Sequence, residues 1–430
     1  MKAFIAVTVS LIGTVGILTA QVDPGVRGGA SGAGGPLSLL TAGEADFFKT
    51  YATPRFAEVE EVADGLGPRF NLDSCGGCHA YPALGGSSPA INPQVAHVQA
   101  MAPGNTVPGF LSLDGPVRVV RFVKNADGTP DGGVHNIFTI AGRSDKPAGC
   151  SIAQPDFSDA ANIIFRIPTP TFGAGLIEAI TDRTIKQNLA SDPRGQKALF
   201  GITGHVNTNG NDGTVTRFGW KAQNKSLLIF AGEAYNVEMG VTNYAFPNER
   251  EEDPNCSGAA MPESQPSFNV GSVDPDDILS FMGFMRFMDQ PKPACTGPAC
   301  SGSVQNGHSL FVEIGCAACH TETLMTGVSS SAALDHKAAN LFSDLAVHHM
   351  GTGLADGITQ GSAGPDEFRT APLWGVGQRL YFLHDGRTSD LHQAILAHDS
   401  TGSEASLVIK LYRVLSTLQK QDILNFLRSL

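Results

Sequence analysis

The chain has 430 residues, 42% of them apolar, with 50 Gly, 26 Pro and only 8 Cys. Apolar content at that level rules out a disordered chain, and the length suggests two or three domains with their own cores. Twenty-nine basic against 41 acidic residues give a net charge of -12, which, without any basic run, argues against nucleic acid or an anionic membrane surface as partner.

Residues 1–20 read as a secretory signal: Lys2 supplies a positive n-region, 4–18 an apolar stretch, and Leu18-Thr19-Ala20 a small-residue cleavage site. The apolar stretch is shorter than the ~20 residues a membrane span needs, and no later one is long enough. The expected product is an exported, periplasmic protein beginning near Gln21, with no membrane span after signal removal. Residues 21–40 are Gly-rich and form a flexible lead-in.

An apolar-periodic stretch over 42–63 then leads to Cys75-Gly76-Gly77-Cys78-His79. Residues 85–134 are loop-rich, with a hairpin expected around Asn125-Ala126-Asp127-Gly128. Helical segments are expected over 182–200 and 274–289. In the second, Met282, Met285 and Met288 recur every three residues, a spacing that fits core filling better than iron ligation. Residues 291–303 have the composition of a linker. Beyond them, 304–314 is amphipathic and runs into Cys316-Ala317-Ala318-Cys319-His320. Residues 416–430 form a closing helix with Leu418, Ile423, Leu424 and Leu427 on one face.

Four of the eight cysteines thus sit in two C-x-x-C-H strings, each expected by chance only roughly 0.004 times in such a chain. Thiols at this spacing can each bond one vinyl group of a haem, and the next residue, His, then faces the iron. His79 and His320 are therefore the expected proximal ligands, with Cys75, Cys78, Cys316 and Cys319 attaching two haem c groups. A zinc site would give no reason for His after both pairs, and a redox thiol pair would not need it twice. The remaining Cys150, Cys256, Cys295 and Cys300 allow three pairings; Cys295 with Cys300 and Cys150 with Cys256 is favoured in an oxidising compartment. The expected fold is mainly α: two cytochrome c-like haem domains with loop-rich insertions and few short strands. The first spans 21–290 and the second 304–430.

Longer stretches carry a resemblance: Phe368-Arg-Thr-Ala-Pro-Leu-Trp-Gly-Val-Gly, Tyr381-Phe-Leu-His-Asp-Gly-Arg, Asp390-Leu-His-Gln-Ala-Ile-Leu-Ala-His398, Arg166-Ile-Pro-Thr-Pro-Thr-Phe-Gly and Asp344-Leu-Ala-Val-His-His-Met-Gly. In these the chain resembles the bacterial di-haem cytochrome c peroxidase superfamily, and most closely its di-haem oxidoreductase branch. The resemblance implies a peroxidase acting on hydrogen peroxide, with a catalytic first domain, an electron-transferring second domain and a small cytochrome c or cupredoxin as electron donor, and homodimers are common among such proteins. The peroxidases carry a Met fourteen positions after the His of His-Asp-Gly; here that position is His398, which implies a bis-His second haem. The family's inter-haem Trp and catalytic Glu match Trp220 and Glu238, with Glu178 as the alternative acid. Phe230 stands where the peroxidases carry a polar residue. His97 lies close to where some members place a removable ligand on the catalytic haem. His348 and His349 are expected near the second haem, with His349 the better match. Calcium is a further candidate cofactor, held by backbone carbonyls near Arg379 and Tyr381. A non-catalytic electron-transfer cytochrome and a di-haem oxygenase are the alternative functions.

Overall fold

The computed structural model describes residues 22–29, 31–250, 253–256, 260–264 and 276–430. The expected signal segment, 1–20, lies outside the described residues. Among those described, no helix is long and apolar enough to cross a membrane.

The fold is mainly helical, with short two- and three-stranded sheets. Helix α1 (Ala42–Phe47) starts at a Thr41/Glu44 capping box and continues through a widened turn into α2 (Thr53–Ala57). The turn has a local cause: Pro54 lacks the N–H a regular helix would use, and the Thr53 N–H instead reaches Phe48 O, five residues back. Phe48, Ala52 and Phe56 fall on one face of this run and are buried. Phe56 stacks on Phe284 of α9 (Asp277–Phe287), with ring centroids 4.2 Å apart.

Next come α3 (Cys75–Cys78), carrying the first C-x-x-C-H string, and α4 (Pro93–Ala100), capped by Asn92. Strand β1 (Arg69–Phe70) pairs antiparallel with β4 (Phe138–Thr139). Strand β2 (Val119–Phe122) is the middle of a three-stranded antiparallel sheet with β3 (Val134–His135) and β5 (Ile163–Arg166). The turn expected at 125–128 lies between β2 and β3 and is closed by the Asn125 N–H on Thr129 O at 2.8 Å.

Beyond α5 (Ala174–Ala179), the helix expected over 182–200 is two helices, α6 (Asp182–Ala190) and α7 (Gln196–Phe200). Pro193 disfavours a helical Asp192, and Gly195, at φ 66°, starts the second helix from a left-handed conformation. Helix α8 (Leu227–Met239) is capped by Ser226 and ended by Gly240 at φ 80°. It buries Leu227, Ala231, Tyr235 and Met239, a four-residue repeat that faces α9. Met285 and Met288 are buried in the same core, as their spacing suggested.

The linker region holds a Cys295–Cys300 disulfide, and Cys150 pairs with Cys256. Helix α10 (Gly302–Glu313) packs on α13 (Thr417–Ser429); Gly307 makes the close approach possible, since a Cβ there would meet Asp422 O at 1.9 Å. Between them lie β6 (Leu324–Met325) paired with β7 (Ala338–Ala339), and β8 (Val347–His349) paired with β9 (Glu367–Arg369). Helices α11 (Leu391–Leu396) and α12 (Ser406–Val414) complete this half.

On α13, Ile423, Leu424 and Leu427 are buried, but Leu418 is 73% exposed. It sits in the first turn, where the helix has left the α10 contact, so the expected apolar face begins one turn later. Phe311, Val408, Tyr412, Ile423, Leu424 and Leu427 form one apolar cluster. The larger cluster centres on α8 and α9 yet also takes Leu324, Leu334, Leu341, Leu345 and Trp374 from beyond the linker. The two halves of the sequence therefore share a core rather than meeting only at a linker.

Candidate functional site

Each C-x-x-C-H string forms part of the wall of a cavity. The N-terminal cavity, of about 380 Å³, is lined by Cys75, Cys78 and His79, and across it by Arg121, Trp220, Phe230 and Glu238. The C-terminal cavity, of about 210 Å³, is lined by Cys316, Cys319, His320 and His398, with aliphatic side chains such as Leu383, Val408 and Ile409. A lone water needs only about 10–15 Å³, so both spaces suit a much larger and mostly apolar body.

The imidazoles fit an iron ligand in a way that rests on their other nitrogen. His79 Nδ1–H donates to Gly86 O at 3.0 Å, His320 Nδ1–H to Phe342 O at 2.9 Å, and His398 Nδ1–H to Ala394 O at 2.8 Å. Each bond fixes the tautomer that leaves Nε2 unprotonated. Burial lowers the proton affinity of all three, bringing His320 to about 4, and so keeps them neutral. Burial also pushes the Cys75 and Cys316 thiols up to about 12. Among the described residues, the one group that could hold a metal directly is Cys319, Asp344 and His348. There, however, His348 Nε2 is already held by Asp344 at 3.0 Å and Nδ1 by Glu404 at 2.9 Å.

Glu238 lies near the end of α8, on the wall of the N-terminal cavity. Asn71 holds it twice, its Nδ2 donating to Glu238 Oε2 and its backbone N–H to Glu238 O, both at 2.7 Å. Burial raises the carboxyl's proton affinity, opposed by the Asn71 hydrogen bond and by the Arg121 and Arg250 guanidinia. His79 is the only histidine on this wall among the described residues.

Trp220 lines both cavities and a smaller one between them. Its Nε1–H donates to Ile167 O at 3.0 Å, and its carbonyl accepts the Arg369 N–H at 2.8 Å. The next residue, Lys221, is fully buried and shares the buried Asp356 with Arg166, at 3.1 and 2.6 Å respectively. Burial brings the Lys221 ammonium down to about 8, and Asp356 opposes that shift.

Other expected site residues lie elsewhere. Glu178 lines none of these cavities: its Oε2 pairs with Arg286 Nη2 at 2.7 Å, and its Oε1 accepts the Leu227 N–H at the start of α8. It is a helix-anchoring carboxylate, which the apolar run around it did not reveal. His97 is buried, but away from the cavity wall, with Nδ1 3.1 Å from Asp73 and its ring against Phe70 and Phe138. Of the neighbouring pair, His348 lines the C-terminal cavity while His349 faces outward onto Asp366. Alternation along β8 puts the two on opposite faces, so the family stretch pointed to the wrong one. Phe230 does stand on the N-terminal cavity wall. The Arg379 carbonyl accepts Arg428 Nη1 at 3.1 Å, and that guanidinium is paired with Asp23. That carbonyl of the expected calcium site is therefore already engaged by a fixed cation.

Asn71, Arg121 and Arg250 escaped notice in the sequence, because Asn71 and Arg250 come from irregular segments, Arg121 from strand β2, and all three come near Glu238 only through the fold.

Each C-x-x-C-H string is thus joined to its own mostly apolar cavity and to a buried, neutral imidazole. The chain belongs to the di-haem oxidoreductase family, whose model, described as "Di-haem oxidoreductase, putative peroxidase", matches residues 123–430. The match takes in the second C-x-x-C-H string and begins beyond the first. No curated protein matches the chain. Among solved structures, it is similar to the hydrazine synthase of Kuenenia stuttgartiensis, at 14% identity over 66% of this chain and 97% of that one, with a TM-score of 0.30. It is also similar to a MauG-like protein associated with microbial copper homeostasis, at 16% identity over 66% and 92%, with a TM-score of 0.30.

Proposed function

We propose that the protein is an exported di-haem c oxidoreductase of peroxidase type, which reduces hydrogen peroxide at the N-terminal cavity with electrons entering through the C-terminal one. The observation that carries this reading is the pair of cavities, each walled by one C-x-x-C-H string, with Trp220 on the wall of both. Cys75, Cys78 and His79 would hold one haem; Cys316, Cys319 and His320 would hold the other, with His398 as its second imidazole ligand. When bound, haem supplies the iron that exchanges electrons and binds peroxide.

The chain's own residues supply the rest. Glu238 takes a proton from incoming peroxide and returns it to the departing oxygen, and Asn71 keeps the carboxylate aimed. Two electrons and two further protons convert hydrogen peroxide to two waters. Trp220, held at its indole and its carbonyl, positions an aromatic ring on the route between the chambers. Residues 21–290 form the catalytic unit and 304–430 the electron-receiving unit, despite the core they share. The two disulfides support an oxidising compartment, such as the periplasm. The donor is a small cytochrome c or cupredoxin, and a homodimer is the expected assembly.

Peroxide turnover by fully haem-loaded Glu238→Gln tests the reading: loss of a proton-transfer group predicts a fall of about 10²–10⁴-fold. An unchanged rate would remove Glu238 from the chemistry, and with Glu178 bound to Arg286 it would count against peroxide as the substrate.

A further inference from the structure

Most buried cations of this fold have a carboxylate. Arg166 and Lys221 share Asp356, Arg143 has Asp73 and Asp145, Arg217 has Asp182, and Arg428 has Asp23. Arg369 and Arg379 differ. Both line the C-terminal cavity and the small cavity beside Trp220. Arg369 is buried at 8% exposure, and its Nε–H donates to Gly219 O at 3.0 Å. No carboxylate of the described residues forms an ion pair with either guanidinium. Burial brings both down to about 10, and Arg379 further lowers Arg369 through like-charge repulsion.

Arg369 is buried and Arg379 half-buried, and two neighbouring guanidinia without a counter-ion become costly once the cavity is filled and water is excluded. Among the described residues no carboxylate offsets that cost, and both side chains line the cavity, which suits an anion from outside the chain. It must carry negative charge to the rim where the two cavities approach each other. A guanidinium is suited to a carboxylate, which it can bind through two parallel hydrogen bonds. Haem brings two carboxylates, on the edge remote from its thioether bonds.

We propose that Arg369 and Arg379 bind the propionates of the C-terminal haem and so turn its acidic edge toward Trp220. The inference rests on the di-haem reading and adds an orientation to it. Cys316 and Cys319 fix one end of the group, and the two guanidinia fix the other. Because the Arg369 N–H is bonded to Trp220 O and its Nε–H to Gly219 O, the residue that holds the propionate also positions the indole. Both arginines are positioning residues; neither touches peroxide.

The test uses the holoprotein. Haem content is measured first, by mass and by alkaline pyridine spectrum, and then each haem's midpoint potential is followed against pH by spectroelectrochemistry. In the wild type, clamped propionates stay ionised, and the potential of the haem assigned to His320 and His398 is flat across the neutral range. In Arg379→Gln and Arg369→Gln that potential falls, because uncompensated negative charge favours ferric iron. It also acquires a pH slope as the released propionate titrates, while Arg379→Lys keeps most of the wild-type value. Fully loaded Gln variants with unchanged potentials and no pH slope would overturn the proposal. So would a neutral-range propionate titration in the wild type, which needs no variant to fold. Fewer than two haems per chain would instead show that the di-haem reading itself had failed.

Discussion

The two cavities are built from the same five-residue string but walled with different chemistry. Around His79 the wall is mixed: Glu238, Asn71, Arg121 and Gln94 stand among the aromatics, and no second histidine is present among the described residues. Around His320 the wall has more aliphatic side chains but also carries His348, His384, His398, Arg369, Arg379 and Glu404, with the His398 Nδ1 already committed to a carbonyl. The string fixes where a haem is attached, and the opposite wall decides what it can do there. A wall with a proton-holding carboxylate and no second histidine suits bond-breaking; a wall that offers a further neutral imidazole suits electron transfer.

The largest expected effect tests that contrast from the C-terminal side. In His398→Ala the low-spin spectrum of one haem should vanish outright while the other is unaltered; a spectrum untouched by the change would remove the second-ligand assignment and leave both chambers alike. Next is the buried ion-pair cluster adjacent to Trp220 in the chain. Asp356 serves both Arg166 and Lys221 with no exposure of its own. Asp356→Asn should therefore cost about 3–5 kcal/mol in chemical denaturation, and a loss under about 1 kcal/mol would mean that the cluster is solvated.

A smaller effect is confined to the N-terminal half. Burial raises the Glu60 carboxyl to about 7, with the Tyr235 hydroxyl donating to it at 3.0 Å. A carboxyl that is harder to ionise in the folded state stabilises it below the unfolded value near 4.5, and that stability is lost as pH rises toward 7. Glu60→Gln should remove this slope and leave the protein more stable than wild type above neutrality, by on the order of 2 kcal/mol. Parallel pH-stability curves for the two proteins would contradict the assignment.

What could be seen in the sequence follows from how local each determinant is. Both C-x-x-C-H strings stand out because attachment to one haem needs three side chains within five residues. The closing helix was legible from its apolar spacing, apart from the exposed Leu418. Asp192-Pro193 was enough to break the helix expected over 182–200, though the apolar pattern ran across it.

The site's second layer was not legible, because its partners are far apart in sequence. Asn71 meets Glu238 across 167 positions, and Glu178 meets Arg286 across 108. An acid inside an apolar run looks desolvated until the arginine that neutralises it is located. His97 likewise lies at a suitable distance along the chain, yet the fold turns it to Asp73.

The central claim is that the chambers hold irons of different coordination. Low-temperature electron paramagnetic resonance of the fully ferric and half-reduced holoprotein tests it most directly. The account predicts a low-spin signal that depends on His398, together with a high-spin signal from the N-terminal haem in at least one of the two states. Low-spin signals alone in both states would contradict it and leave an electron carrier in place of a peroxidase.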